Sequence, residues 1–326
     1  MEMTSKVPVT VLTGILGSGK TTFVRHVLTS NHGKHIAVIQ NEVSEQMGIE
    51  SPAITDGEGN VLPDFYELPN GCICCSARDG LIVALEGIVR VSKSRAIDAV
   101  IVETTGIADP QSVAQVFWID SGMDSPLYLN GIVTFIDCLN IHRFLQGNSL
   151  DLGEISTKQI ASADALILNK TDLVDQTHLL EVTKSVTSLN STASIITTAF
   201  SNVPWDILFN LNAFESTQRK WPDVPHAHFQ GIDHIFLKVP ANCISPESAT
   251  RAVGELLWER KAGEIYRCKG LFEFDEKWFS LQGVGELFEV SQITFVDEAK
   301  IDADRSGRFL FIGKNLDSKV IADVLR

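Results

Sequence analysis

Residues 14–21 read Gly-Ile-Leu-Gly-Ser-Gly-Lys-Thr, a spacing that suits one piece of chemistry. Glycines at 14, 17 and 19 can take backbone angles closed to other residues, so successive N–H groups can turn toward phosphate oxygens. Lys20 then brings a point charge to the β- and γ-phosphates, and the Thr21 hydroxyl brings a ligand for Mg2+. Ser18 and Thr22 complete the stretch expected to touch a nucleotide. A dinucleotide fingerprint does not fit, because Gly17 and Gly19 lack its third glycine.

Two further groups extend the same chemistry. An apolar run, AVIVETTGIADP at 99–110, carries Glu103 where a strand should end and Gly106 three residues on. A carboxylate there suits a hold on Mg2+, and the Gly106 N–H can approach a γ-phosphate because nothing projects from its Cα. Lys20 and Glu103 are therefore the residues expected to serve hydrolysis. Farther along, ADALILNKTD ends in Asn169-Lys170-Thr171-Asp172. A carboxylate at Asp172 can accept from both N–H groups on the edge of guanine. Adenine offers no such pair and would leave the carboxylate unmatched, so the nucleotide expected is GTP.

A different chemistry is written at residues 70–75, NGCICC. Thiolates at this density suit a soft or borderline cation such as Zn2+, bound at about 2.3 Å from sulfur. In an extended segment Cys72 and Cys74 share a side while Cys75 points away unless the chain turns. A further ligand must come from elsewhere, and Glu42 and Glu45 are the nearby candidates. An incomplete coordination shell is what a metal carrier needs, since exchange requires an open position. A redox pair and small residues packing a tight turn remain alternatives. Outside the cluster the cysteines stand singly at 138, 243 and 268, which is no disulfide framework.

These residues need a scaffold. VPVTVLT at 7–13 reads as a buried strand, and TTFVRHVLTS after the glycine loop as a helix, giving the strand–loop–helix context that the motif demands. HIAVIQNE at 35–42, the run into Glu103 and the run into Asn169 supply further strands. Their polar carboxyl ends are where ligands of open α/β sheets gather. STASIITTAF at 191–200 and WDILFNLNAF at 205–214 close this part of the chain as strand and helix. The expectation is an α/β domain over 1–214 with a mostly parallel sheet and flanking helices. A polar Pro- and His-bearing linker follows at 215–231, in which His226 and His228 could lend imidazoles to a metal. Residues 232–326 mix alternating strands with two helical stretches, a smaller α+β domain. Cys268 reads there as core.

The 326-residue chain is 44% hydrophobic and 21% charged, enough apolar content for a proper core. Its net charge of −14 argues against nucleic acid as a partner. No secretory signal and no apolar run of about 18 residues is visible, so a cytoplasmic location without membrane insertion is expected.

Taken together, GILGSGKTT, NE at 41–42, NGCICC, ETTGIADP and NKTD resemble the CobW-like metal-chaperone GTPases over nearly the whole chain. FWID at 117–120, YLNGIVTFID at 128–137 and LLWE at 256–259 are most similar to its eukaryotic cytosolic zinc-chaperone branch. The resemblance implies a GTPase of P-loop type that carries zinc on the Cys-x-Cys-Cys segment. It implies transfer to a client metalloprotein, with methionine aminopeptidase as candidate. Other branches imply cobalt insertion, and a nucleotide-regulated zinc buffer is the non-enzymatic reading. Two departures stand out. Ser44 occupies the glycine position of the usual NEFGE, and MEMTSKVPVT carries no Cys-Pro docking motif.

Overall fold

The computed structural model describes residues 6–40, 54–55, 61–62, 77–92, 96–119, 126–146, 150–211, 226–229, 231–293 and 305–325. In chain order the first elements are β1 (Val7–Thr13), α1 (Lys20–Thr29), β2 (Ile36–Gln40), β3 (Ile54–Thr55), β4 (Val61–Leu62) and α2 (Ala77–Ser92). Next come β5 (Ala99–Glu103), α3 (Pro110–Ile119), β6 (Leu127–Asp137), α4 (Ile141–Gln146) and α5 (Leu150–Ser162). They are followed by β7 (Ala165–Asn169), α6 (Gln176–Leu189), β8 (Ser194–Thr197) and α7 (Ile207–Asn210). The remainder is β9 (His226–Phe229), β10 (Ile232–Val239), α8 (Pro246–Trp258), β11 (Glu264–Phe274), β12 (Lys277–Val284), β13 (Leu287–Ile293), β14 (Gly307–Lys314) and α9 (Ser318–Val324).

Two compact units result. One comprises Met1–Lys184 with Ala193–Ala213, the other Ser185–Thr192 with Phe214–Arg326. The first is built on a sheet ordered β4-β3-β2-β5-β1-β6-β7-β8, whose six strands from β2 to β8 pair in parallel. Parallel strands are covered on both faces and read as continuous apolar runs rather than alternating ones. β5 and β7 have that composition, and every residue of both is buried. Against one face Phe23, Val24 and Val27 of α1 pack on Leu12, Val38, Ile101, Phe135 and Ile167. That contact holds the helix start, and with it Lys20 and Thr21, at the carboxyl edge of β1.

β6 is the longest strand of this sheet among the described residues, yet its sequence lacks a clean strand pattern. Asn130 and Gly131 interrupt its apolar run, and the pairing with β1 shifts register between Val9 and Thr10. The buried Asn130 amide is satisfied by donating to Thr10 Oγ1 at 3.0 Å.

The second unit holds an antiparallel sheet ordered β13-β12-β11-β14-β10-β9. Ala249, Val253, Leu256 and Leu257 of α8 meet Cys268 and Phe272 of β11 and Phe309 and Phe311 of β14 in one apolar core. Ser245 caps α8 by accepting from Ser248 N–H, with Pro246 as its first residue. The stretch read as linker holds a strand, since β9 pairs with β10, its register setting His228 opposite Asp233. The run 278–295 divides into the hairpin β12–β13 at Gly285, whose φ is 60°.

Candidate functional site

The glycine loop leaves β1 at Thr13 and enters α1 at Lys20, with φ of 132°, 77° and 108° at Gly14, Gly17 and Gly19. At Gly19 glycine is required twice over, because a Cβ there would also collide with Asn169 Nδ2 and Ser201 Oγ. Lys20 is buried and folds back on the loop. Its Nζ donates to Gly14 O at 2.6 Å and Ile15 O at 3.3 Å. The hydroxyls of Thr13 and Ser18 are buried without a hydrogen-bond partner among the described residues. Such orphans cost stability. Thr22 is exposed on the first turn of α1.

Glu103 closes β5 as expected and is 1% exposed. Thr21 Oγ1 donates to its Oε1 at 2.5 Å, and Gln40 Nε2 donates to its Oε2 at 2.9 Å. An alcohol and a carboxylate oxygen beside a phosphate loop are hard donors of the type Mg2+ takes, so these residues fit that ion. Gly106 approaches the loop so closely that a Cβ would strike the Leu16 backbone. Its position is fixed by Gln159 on α5, whose Nε2 donates to Gly106 O at 3.3 Å and Ala108 O at 3.1 Å. The Gln159 carbonyl in turn accepts from Thr134 Oγ1 at 2.7 Å.

Asn169 ends β7 and is buried. It reaches the phosphate loop, donating to Ser18 O at 2.8 Å and Ser201 Oγ at 2.8 Å and accepting from Ser201 N–H at 2.9 Å. Ser201 then donates to Gly19 O at 2.9 Å. Lys170 takes the left-handed region, φ 63°, and opens a 3-10 turn, Thr171–Leu173, on which Asp172 is exposed. The Lys170 ammonium lies 2.6 Å from Asp137 Oδ2. Burial alone would raise the Asp137 pKa. Donation from Lys170 and Asn140, the Lys170 charge and the Leu139 N–H outweigh it and hold the carboxyl below its usual range.

The described structure thus brings Gly14, Gly17, Ser18, Gly19, Lys20, Thr21, Glu103, Gly106 and Asn169 into one connected site. Gln40, Asp137, Gln159 and Ser201 belong to it and were missed. The signal available was the strand-end position of Gln40; Asp137 closes β6, whose interrupted pattern hides it, and Gln159 and Ser201 carry none. The metal candidates Cys72, Cys74, Cys75, Glu42 and Glu45 lie outside the described residues. Among those described, no cluster of three His, Cys, Asp or Glu could hold a metal ion, and no helix is long and apolar enough to cross a membrane. Cys268 is core, its thiol pushed up to about 12 by burial.

Residues 8–197 match the CobW/HypB/UreG nucleotide-binding domain, and residues 239–326 match the cobalamin synthesis protein CobW C-terminal domain. The chain is 37% identical to the zinc-regulated GTPase metalloprotein activator 1 of Schizosaccharomyces pombe, over 95% of this chain and 83% of that one. It is 30% identical to the zinc chaperone CobW of Pseudomonas aeruginosa, over 100% and 92% of the two chains. Among solved structures, the zinc-bound YjiA GTPase of Escherichia coli shares the fold, with a TM-score of 0.69 at 23% identity over 98% of this chain and 99% of that one. The chain belongs to the CobW/HypB/UreG family and is a P-loop GTPase carrying a CobW C-terminal domain.

Proposed function

We propose that the protein is a zinc chaperone that hydrolyses GTP, holds Zn2+ on Cys72, Cys74 and Cys75 with Glu42 and Glu45 as further ligands, and passes it to a client metalloprotein. A methionine aminopeptidase is the candidate client. The observation that supports this reading is where two parallel strands of the sheet end, β2 before the thiol stretch in the chain and β5 after it. β2 and β5 pair in parallel and finish side by side at Gln40 and Glu103, with Glu103 bonded to Thr21. Relatives named as zinc-regulated or zinc chaperones over most of this chain point the same way.

In this reading the loop N–H groups bind the β- and γ-phosphates, and Lys20 leaves the carbonyls of Gly14 and Ile15 to join them. Thr21 and Glu103 would hold Mg2+, which would supply charge to stabilise the phosphate oxygens. Lys170 and Asp172 take the base, with Asn169 holding the loop beneath. Water is the nucleophile, and the Gly106 N–H would sense the γ-phosphate.

The deciding measurement is zinc affinity by competition with a chelating dye, for GTP-analogue, GDP and nucleotide-free protein, alongside multiple-turnover phosphate release. Expected is a zinc affinity that differs between nucleotide states and falls sharply in Cys74→Ser. Coupling of this kind runs to about 1–3 kcal/mol, and zinc must shift GTP affinity by the same factor. Equal affinity in all three states would leave a metalloprotein with an unrelated GTPase. Preference for cobalt over zinc would move the protein to another branch.

A further inference from the structure

Gln40 closes β2 directly opposite Glu103, its partner in the parallel register. The Glu103 carboxylate is almost wholly buried and is held from two directions. The Gln40 amide donates to Oε2 at 2.9 Å and the Thr21 hydroxyl to Oε1 at 2.5 Å. The residue type matters. A primary amide can donate to a carboxylate without neutralising it, whereas a lysine here would compete with a cation for the same charge. A carboxylate at position 40 would repel Glu103. The result is a buried carboxyl group with one oxygen pinned by a neutral donor and the other directed at the hydroxyl that opens α1. Groups of this kind, one step removed from the ion, typically change metal affinity by 10- to 100-fold when removed.

We propose that Gln40 is a positioning residue: it fixes the Glu103 carboxylate for the divalent cation that accompanies the nucleotide. It also makes the end of β2, two residues ahead of Glu42 in the chain, part of the nucleotide network.

The test uses the full chain and a fluorescent GDP analogue, with affinity measured in excess Mg2+ and again in EDTA. The variants are Gln40→Ala and Gln40→Met; methionine keeps the length of the side chain and removes the donor. In the wild type Mg2+ should strengthen binding. In both variants that Mg2+-dependent gain should shrink by about tenfold, while affinity in EDTA stays within about twofold and the melting temperature is kept. A wild-type gain in both variants overturns the proposal. So does a loss that falls equally on the EDTA measurement and the melting temperature, which would mark a merely structural side chain.

Discussion

Replacing Asn169 by alanine should separate the phosphate loop from the rest of the site. The side chain makes three hydrogen bonds of 2.8, 2.8 and 2.9 Å, joining Ser18 of the loop to Ser201 between β8 and α7. Truncation leaves the Ser18 carbonyl and the Ser201 N–H without these partners in a buried place, at a cost of about 1–3 kcal/mol for each. Ser201 Oγ keeps its bond to Gly19 O, so its loss is small. Against this stands strain. Phe200 and Ser201 hold φ of 54° and 57°, a region that costs non-glycine residues about 1–3 kcal/mol each. Part of that strain is released once the clasp opens. The net expectation is a loss of about 2–4 kcal/mol in urea unfolding. GTP affinity should weaken at least about tenfold, since roughly 1.4 kcal/mol of the loss would fall on keeping the loop in its binding shape. Asn169→Asp keeps the acceptor for Ser201 N–H but turns an oxygen toward the Ser18 carbonyl, so nucleotide binding should suffer no less. The readouts are denaturant midpoints and fluorescent-nucleotide titration. An alanine variant within about 0.5 kcal/mol of wild type in both, the range of an ordinary surface change, would refute the view that Asn169 braces the loop.

The remaining predictions concern Asp172 and Asp137. Asp172→Asn should cost GTP about 1–3 kcal/mol for each hydrogen bond lost to the charged acceptor and shift preference toward xanthine nucleotides. Competition titration reads this out, and a wild type that binds ATP and GTP alike would sink the guanine assignment. Asp137→Asn should destabilise the protein at neutral pH by removing the charge that faces Lys170. Because the folded Asp137 pKa lies below its usual value, the wild-type advantage is fully present above the ordinary carboxylate range. It should fade as pH falls through the depressed folded value. Urea midpoints of the two proteins should therefore converge in acid, and a gap independent of pH would mean that packing rather than charge is responsible.

What could be read from the sequence was local. The glycine loop lies within eight consecutive residues, and its strand and helix adjoin it, so spacing and hydrophobic pattern sufficed. The same holds for Glu103 and Asn169, each placed by the apolar run before it. What escaped was fixed by partners far along the chain. Ser201 bonds to Gly19 across 182 positions, Asn169 to Ser18 across 151 and Gln40 to Glu103 across 63. A lone serine or glutamine carries no signal of such a partner, because the pairing is set by how the strands are ordered. β6 escaped for a different reason. An asparagine and a glycine in mid-strand read as a break, yet a buried amide whose partner is Thr10 and a register shift accommodate both.

The geometry of the phosphate loop explains why those distant residues are needed. A loop that turns its N–H groups inward toward phosphate turns carbonyls away from it, and buried carbonyls need donors. Here Ile15 O accepts from Ser18 N–H, Ser18 O from Asn169 and Gly19 O from Ser201, while Lys20 serves Gly14 O and Ile15 O. Of these donors only the lysine is charged, and it stands to gain most by exchanging a carbonyl for a phosphate oxygen. The neutral donors of Asn169 and Ser201 have no such incentive and remain. Under the proposed function, the division lets Lys20 change partners with the nucleotide while the loop keeps its shape. It also separates two kinds of variant: loss of Asn169 should impair the cradle itself, and loss of Lys20 the charge brought to the phosphates.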